Sequence, residues 1–223
     1  MHDKQRVILY QGCFLIVSFC LLLIFFPIGG TLDLKLIHPW LNSSGQFILR
    51  NNWYLAELSH HYIKNLLIAI YLSFFILWLG SFKFKKLNTL GWSYGYFFSL
   101  VVLSTTMIGL LKSQSAHACP WDITLPTSQG FFWDFSATQG HCFPGGHAAT
   151  GFALMTGYFV FRLADKKRAY FFLIAGSILG FALGWAQMMR GAHFLSHNLW
   201  TAWIIWLVNV VFYLLNYNKF VRQ

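Results

Sequence analysis

Charge is what this sequence lacks. Only 10% of its 223 residues are Asp, Glu, Lys or Arg, against about 25% in an ordinary soluble domain. With 57% hydrophobic residues and a mean hydropathy of +0.54, no soluble core of this length could hide the Phe, Leu, Ile and Trp side chains. A bilayer can, because it does not penalise apolar surface. The sequence also lacks an internal repeat, a low-complexity segment and a separate soluble domain, so residues 1–223 read as one integral membrane domain. A small-residue cleavage pattern is missing after Phe26-Pro27. The first apolar run therefore reads as a retained helix rather than a signal peptide.

Sixteen Lys and Arg against six Asp and Glu give a formal charge of +10. Such an excess raises the question of nucleic acid, and its distribution excludes that partner. Lys4, Arg6, Lys83, Lys85, Lys86, Arg162, Lys166, Lys167, Arg168, Lys219 and Arg222 sit in short clusters beside apolar runs and form no continuous basic face.

A membrane span needs about 20 mostly apolar residues. Six segments qualify: roughly Val7–Ile28, Leu66–Phe82, Gly91–Leu111, Ala148–Leu163, Ala169–Met188 and Leu199–Tyr217. Six spans put both termini on one side, together with the cations named above, while Lys35, Arg50, Lys64, Lys112 and Arg190 stay on the other. The richer side is expected to be cytoplasmic, in a bacterial-type inner (plasma) membrane. The outer side receives Gly29–Asn65, Lys112–His147 and Arg190–Asn198. The first of these carries Trp40, Trp53 and Tyr54 and is expected to lie along the interface as a short amphipathic helix.

Span centres hold few polar residues, which argues against a transporter with broken, polar spans. The outer segments hold His117, Cys119, Asp122, Asp134, His141, Cys142, His147, Arg190, His193 and His197. Ionisable groups at membrane depth are costly and face an interior or a wet cavity. Lys112 closes the third span; alone, it reads as a snorkelling lysine. Gly145 and Gly146 open the fourth, where free amides at a helix start suit an anion, and His147 follows as a proton donor. Alone, that is a helix-entry turn. Arg190 and His193 are one helical turn apart, and His193 and His197 are spaced i, i+4. A guanidinium beside an imidazole suits holding and attacking a phosphate. The other reading of His193 and His197 is a metal pair, for which the sequence fixes no third ligand.

These segments, in this order, resemble the type 2 phosphatidic-acid phosphatase (PAP2) superfamily, whose motifs are Lys-x6-Arg-Pro, Pro-Ser-Gly-His and Arg-x5-His-x3-Asp. Here Lys112-x6 leads to Cys119-Pro120, Pro144-Gly145-Gly146-His147 has Gly145 in place of Ser, and His193 has Gln187 six residues before it and His197 four after it. The resemblance implies an all-α polytopic bundle of six transmembrane helices with a PAP2/haloperoxidase-like core over about 91–217. It also implies that His193 attacks phosphorus, that His147 serves as acid and base, and that Lys112, Arg190 and the Gly145 and Gly146 amides grip the phosphate, with no metal or cofactor. In the family the Asp accepts the nucleophile's Nδ1–H. Here His197, Asn198 or a loop carboxylate such as Asp122 or Asp134 is the candidate, and an uncharged one predicts a slower enzyme.

Cys13 and Cys20 read as small buried hydrophobes of the first span. Cys119 and Cys142 share the outer side with no other cysteine, so a disulfide between them is expected to close the loop over the site. The expected substrate is a lipid phosphate or pyrophosphate such as undecaprenyl pyrophosphate, a lipid A phosphate or a phosphatidyl phosphate. A lipid phosphotransferase, a metal-binding scaffold and an inactive relative are the alternatives.

Overall fold

The computed structural model describes residues 2–138 and 140–221. Arg222, one of the cations assigned to the basic side, lies outside the described residues. The helices are α1 (His2–Phe25), α2 (Thr31–Ile37), α3 (Lys64–Ser81), α4 (Lys85–Asn88), α5 (Gly91–Ser113), α6 (Gly146–Phe152), α7 (Thr156–Phe161), α8 (Lys166–Met189), α9 (Leu195–Leu215) and α10 (Tyr217–Val221). Five of them, α1, α3, α5, α8 and α9, are long and apolar enough to cross a membrane. The chain is an integral membrane protein, and its broad apolar outer surface, with residues such as Ile24, Ile76 and Phe171 more than half exposed, is what lipid tails would cover.

The fourth apolar segment departs from expectation, so six long spans are not what the helices provide. It consists of α6, a 3-10 turn at Ala153–Met155 and α7. At 1.5 Å per residue residues 146–161 reach about 24 Å, short of the ~30 Å hydrocarbon layer. The reason is enclosure. Phe152, Ala153, Thr156 and Phe159 are fully buried, so this rod is surrounded by protein rather than by lipid. Helix α8 makes room for it with small residues four apart. A Cβ on Gly176 would stand 2.8 Å from the Met155 nitrogen, and one on Gly180 would overlap the Phe152 ring.

Two other segments are more structured than expected. The 112–147 connection holds an antiparallel hairpin, β1 (Thr124–Thr127) with β2 (Gly130–Trp133), pairing Thr124 with Trp133. The fold is thus mostly helical, with one small hairpin, rather than all-α. The 29–65 connection is not a single interfacial helix. It holds α2, a 3-10 turn at His38–Trp40 and a π-helical stretch, Tyr54–Ile63, that runs into α3. Trp53 and Tyr54 remain exposed, whereas Asp33 and Ile37 of α2 are buried.

The connections gather at two ends. At one, Arg190 reaches the Arg50 carbonyl, Ser196 reaches Asp33 and the Trp121 N–H reaches the Gly191 carbonyl. At the other, Arg162 lies over Tyr213 and Tyr96 packs on Phe220. The apolar core between them centres on Phe97, Phe159 and Tyr213, with Phe74 stacked on Phe97 at 4.0 Å between ring centroids.

Candidate active site

The site is built where α5 ends and α6 and α9 begin. Helix α9 starts two residues after His193, which puts His197 in its first turn. The Nδ1 atoms of His193 and His197 are 3.4 Å apart. Their side chains are 1% and 0% exposed, and the Cys142 carbonyl lies beside both rings. Burial, then the neighbouring His197 and Lys112, hold His193 well below its ordinary value of 6.5, against a smaller upward pull from the Cys142 carbonyl. The ring is neutral at physiological pH. Two neutral imidazoles facing through Nδ1 need complementary tautomers, one donating and one accepting.

Lys112, at the end of α5, faces the same space. A Cβ built on Gly146 would lie 3.8 Å from its Nζ. The Pro-Gly-Gly-His turn is stitched onto α9: the Gly145 N–H donates to Thr201 Oγ1 at 2.8 Å, and the Thr201 hydroxyl is 2.8 Å from the His197 carbonyl. This tie holds Gly145, two residues before half-buried His147, against the backbone of His197, whose carbonyl is 3.7 Å from a Cβ built at 145. It also corrects one expectation, because the Gly145 amide is engaged by Thr201 instead of being open to a phosphate.

The geometry accounts for the glycine that replaces serine. A Cβ at 145 would stand 2.7 Å from Asn198 Oδ1. Asn198 is itself buried, wedged against Gly184 of α8, with no hydrogen-bond partner for its Oδ1 among the described residues. Asn198, one candidate for orienting His193, is thus packed between Gly145 and Gly184, and the ring facing His193 is His197.

Cys119 is bonded to Cys142, with their Cα atoms 5.1 Å apart. The Cys142 N–H donates to the His117 carbonyl, and His141 Nδ1 lies 2.7 Å from the Ser115 carbonyl. Residues 115–119 and 141–142 therefore form one cross-linked strap beside the histidines.

Three candidates are placed elsewhere. The Arg190 guanidinium donates to the Arg50 carbonyl at 2.9 Å and to Gln187 Oε1 at 3.1 Å, and Arg50 in turn lies 4.4 Å over the Trp121 ring. Burial first and the Arg50 charge second lower its pKa. Arg190 thus reaches the position where the resemblance expects an arginine only by bonding to the glutamine that stands there. The Asp122 carboxylate accepts the indole N–H of Trp121 at 2.9 Å and is exposed; it orients no histidine. Asp134 binds the Ser136 N–H and hydroxyl, which lower its pKa.

One residue escaped the sequence reading. Asp33 is 3% exposed and accepts the Ser196 N–H at 2.9 Å, the Ser196 hydroxyl and the Gly29 N–H at 3.0 Å. Nothing in its local pattern marks it, since its main partner lies 163 residues away.

The profile of the PAP2 superfamily matches residues 92–220. The chain belongs to that superfamily, whose members are generally phosphatases. No curated protein and no solved structure matches the chain. The matched stretch holds Lys112, the Gly145–His147 turn and the His193–His197 pair, and excludes Asp33.

Proposed function

We propose that the protein is a membrane lipid phosphatase that hydrolyses a phosphomonoester or pyrophosphate of a lipid through a phosphohistidine on His193. The observation that carries this is the buried His193–His197 contact, 3.4 Å between Nδ1 atoms, beside Lys112 and the start of α6. With His193 as the Nδ1–H tautomer donating to His197, its Nε2 lone pair is free to attack. The Nε2–P bond forms as the P–O bond to the lipid breaks, and His147 gives its proton to the departing oxygen. Water then attacks phosphorus, His147 takes a proton from it, and phosphate leaves as Nε2 is regenerated. Lys112 and the Gly146 amide balance the charge on the equatorial oxygens, with Arg190 and Gln187 further out.

A cavity of about 760 Å³ supports a lipid substrate. Leu22, Phe26, Leu111, Phe143, Trp200 and Ile204 contribute to its walls, and the Phe143 ring lies 5.5 Å from His197. It is apolar, as a hydrocarbon chain entering between α1 and α9 requires. In this reading the 146–161 rod counts as a sixth, protein-enclosed passage, both termini are cytoplasmic, and the histidines face the periplasm of a bacterial-type inner membrane, as the basic turns dictate. A phosphotransferase would use the same residues with a lipid alcohol or phosphate in place of water. The metal-pair reading finds no group of three His, Cys, Asp or Glu side chains among the described residues.

The test is inorganic phosphate released from undecaprenyl pyrophosphate, a lipid A phosphate and phosphatidic acid by wild type and His147→Ala. The proposal expects release by wild type from at least one substrate and loss in the variant. An inactive wild type, or an unaffected His147→Ala, contradicts it.

A further inference from the structure

The first turn of a helix leaves N–H groups without intrahelical partners, and a nearby anion satisfies them. At the start of α9 the capping residue is Phe194, which has no side-chain acceptor. The acceptor comes instead from α2, where Asp33 Oδ1 takes the Ser196 N–H and Oδ2 takes the Ser196 hydroxyl and the Gly29 N–H. Ser196 sits between His193 and His197 in the chain. Around this contact Ile37 of α2 packs with Met188 and Phe194 in one buried cluster, so α2 is fastened to the turn that carries His193. Other polar restraint on the histidine pair is sparse. His197 Nε2 is buried with no hydrogen-bond partner among the described residues, and the His193–His197 contact, at 3.4 Å, sits at the long end of hydrogen bonding.

We infer that Asp33 is a positioning residue of the phosphatase site: from α2 it caps α9 and thereby fixes where His197 meets His193. The inference rests on the phosphatase reading for its kinetic consequence and stands on the hydrogen bonds for its structural one. Asp33 touches neither histidine in this arrangement and takes no part in bond making. It supplies from the amino-terminal third of the chain an anchoring carboxylate for α9. A buried carboxylate is a costly way to hold two helices together, since apolar residues do so without desolvating a charge. What it adds is direction, two oxygens fixing one helix end. The Gly29 bond extends the tie to the turn after α1, next to Ile28 of the cavity wall.

The test compares purified full-length wild type, Asp33→Asn and Ser196→Ala. Two readouts are used: release of phosphate from phosphatidic acid and undecaprenyl pyrophosphate, and backbone amide hydrogen exchange over residues 194–199. Asparagine keeps the size and one acceptor oxygen, but its NH2 must face either the Ser196 N–H or the Gly29 N–H, neither of which can accept. A shift of the order of 1 Å in a catalytic group lowers turnover by up to about 100-fold. Asp33→Asn is therefore expected to lose kcat per folded molecule on that scale with KM unchanged, to melt at a lower temperature because a buried donor loses its acceptor, and to exchange faster at 194–199. Ser196→Ala, which keeps the backbone bond, loses less. Unchanged exchange in Asp33→Asn overturns the inference whether or not the wild type is active. So does an unchanged kcat per folded molecule in an active protein, including one with a lower melting temperature. An inactive wild type with faster exchange in Asp33→Asn leaves the cap standing and removes the phosphatase reading.

Discussion

At the end of the bundle that carries Arg162, cations lie on aromatic faces. Arg162 is 5.2 Å from the Tyr158 and Tyr213 ring centroids, and Lys219 is 4.1 Å over Trp92. Asp165 caps α8 through the Arg168 N–H and meets the Arg168 side chain at 3.6 Å, with both side chains more than 40% exposed. At the end that carries His193, the ties are buried and cross between distant segments: Cys119 to Cys142, Gly145 to Thr201, Asp33 to Ser196. Cations resting on ring faces have no fixed donor–acceptor geometry and tolerate sliding, whereas buried hydrogen bonds and a covalent link do not. In the proposed reading the first end needs only to mark a side of the membrane. The second holds several groups in register, which is what phosphoryl transfer requires.

The largest effect that would sharpen this contrast is at the disulfide. It closes a 23-residue separation, so Cys142→Ser is expected to cost about 3 kcal/mol, read as a lower melting temperature in detergent and as loss of the linked peptide in non-reducing mass spectrometry. Next is Gly145→Ser, which restores the residue usual in the family yet drives a Cβ to 2.7 Å from Asn198 Oδ1. Overpacking of this kind costs about 1–3 kcal/mol. It is expected to lower activity, and a second change, Asn198→Ala, is expected to recover part of the loss. Equal effects in single and double variants would break the packing account.

A third effect is acid sensitivity. His193 has its folded pKa lowered below 6.5 by burial, so the unfolded chain binds the proton more readily. Stability is therefore full above pH 6.5 and falls as pH drops below that value toward the folded pKa. His193→Gln is expected to flatten that fall in a pH series of melting temperatures. The smallest effect belongs to the opposite end. Asp165→Ala removes an exposed cap and is expected to cost about 1 kcal/mol with phosphate release unchanged. A large loss of activity there would erase the distinction between the two ends.

Much of this site is legible in the sequence because its signals are local. Lys112, Gly146, His147, His193 and His197 lie at ends of apolar runs, and hydrophobicity alone puts such ends at a common depth. The cysteines follow from the same argument. Arg190 does share a helix face with Gln187, to which it bonds, but it stands just past Met189, the last residue of α8, where distant chain reaches it. Beyond that end its guanidinium takes the Arg50 carbonyl, a partner 140 residues away. Asp33 was unreadable for the same reason, and the clash between Gly145 and Asn198 is a matter of packing that no spacing encodes. The short 146–161 rod has the composition of a span because composition does not separate a helix buried in lipid from one buried in protein.

The account stands on His193 carrying the phosphoryl group. Brief reaction of the wild type with a hydrolysable lipid phosphate, followed by alkaline quench and peptide mass spectrometry, is predicted to find an acid-labile phosphate on His193, with accumulation increased in His147→Ala if residual attack on the lipid outpaces water. Phosphate on another residue, or full turnover by a His193→Ala protein, would contradict it.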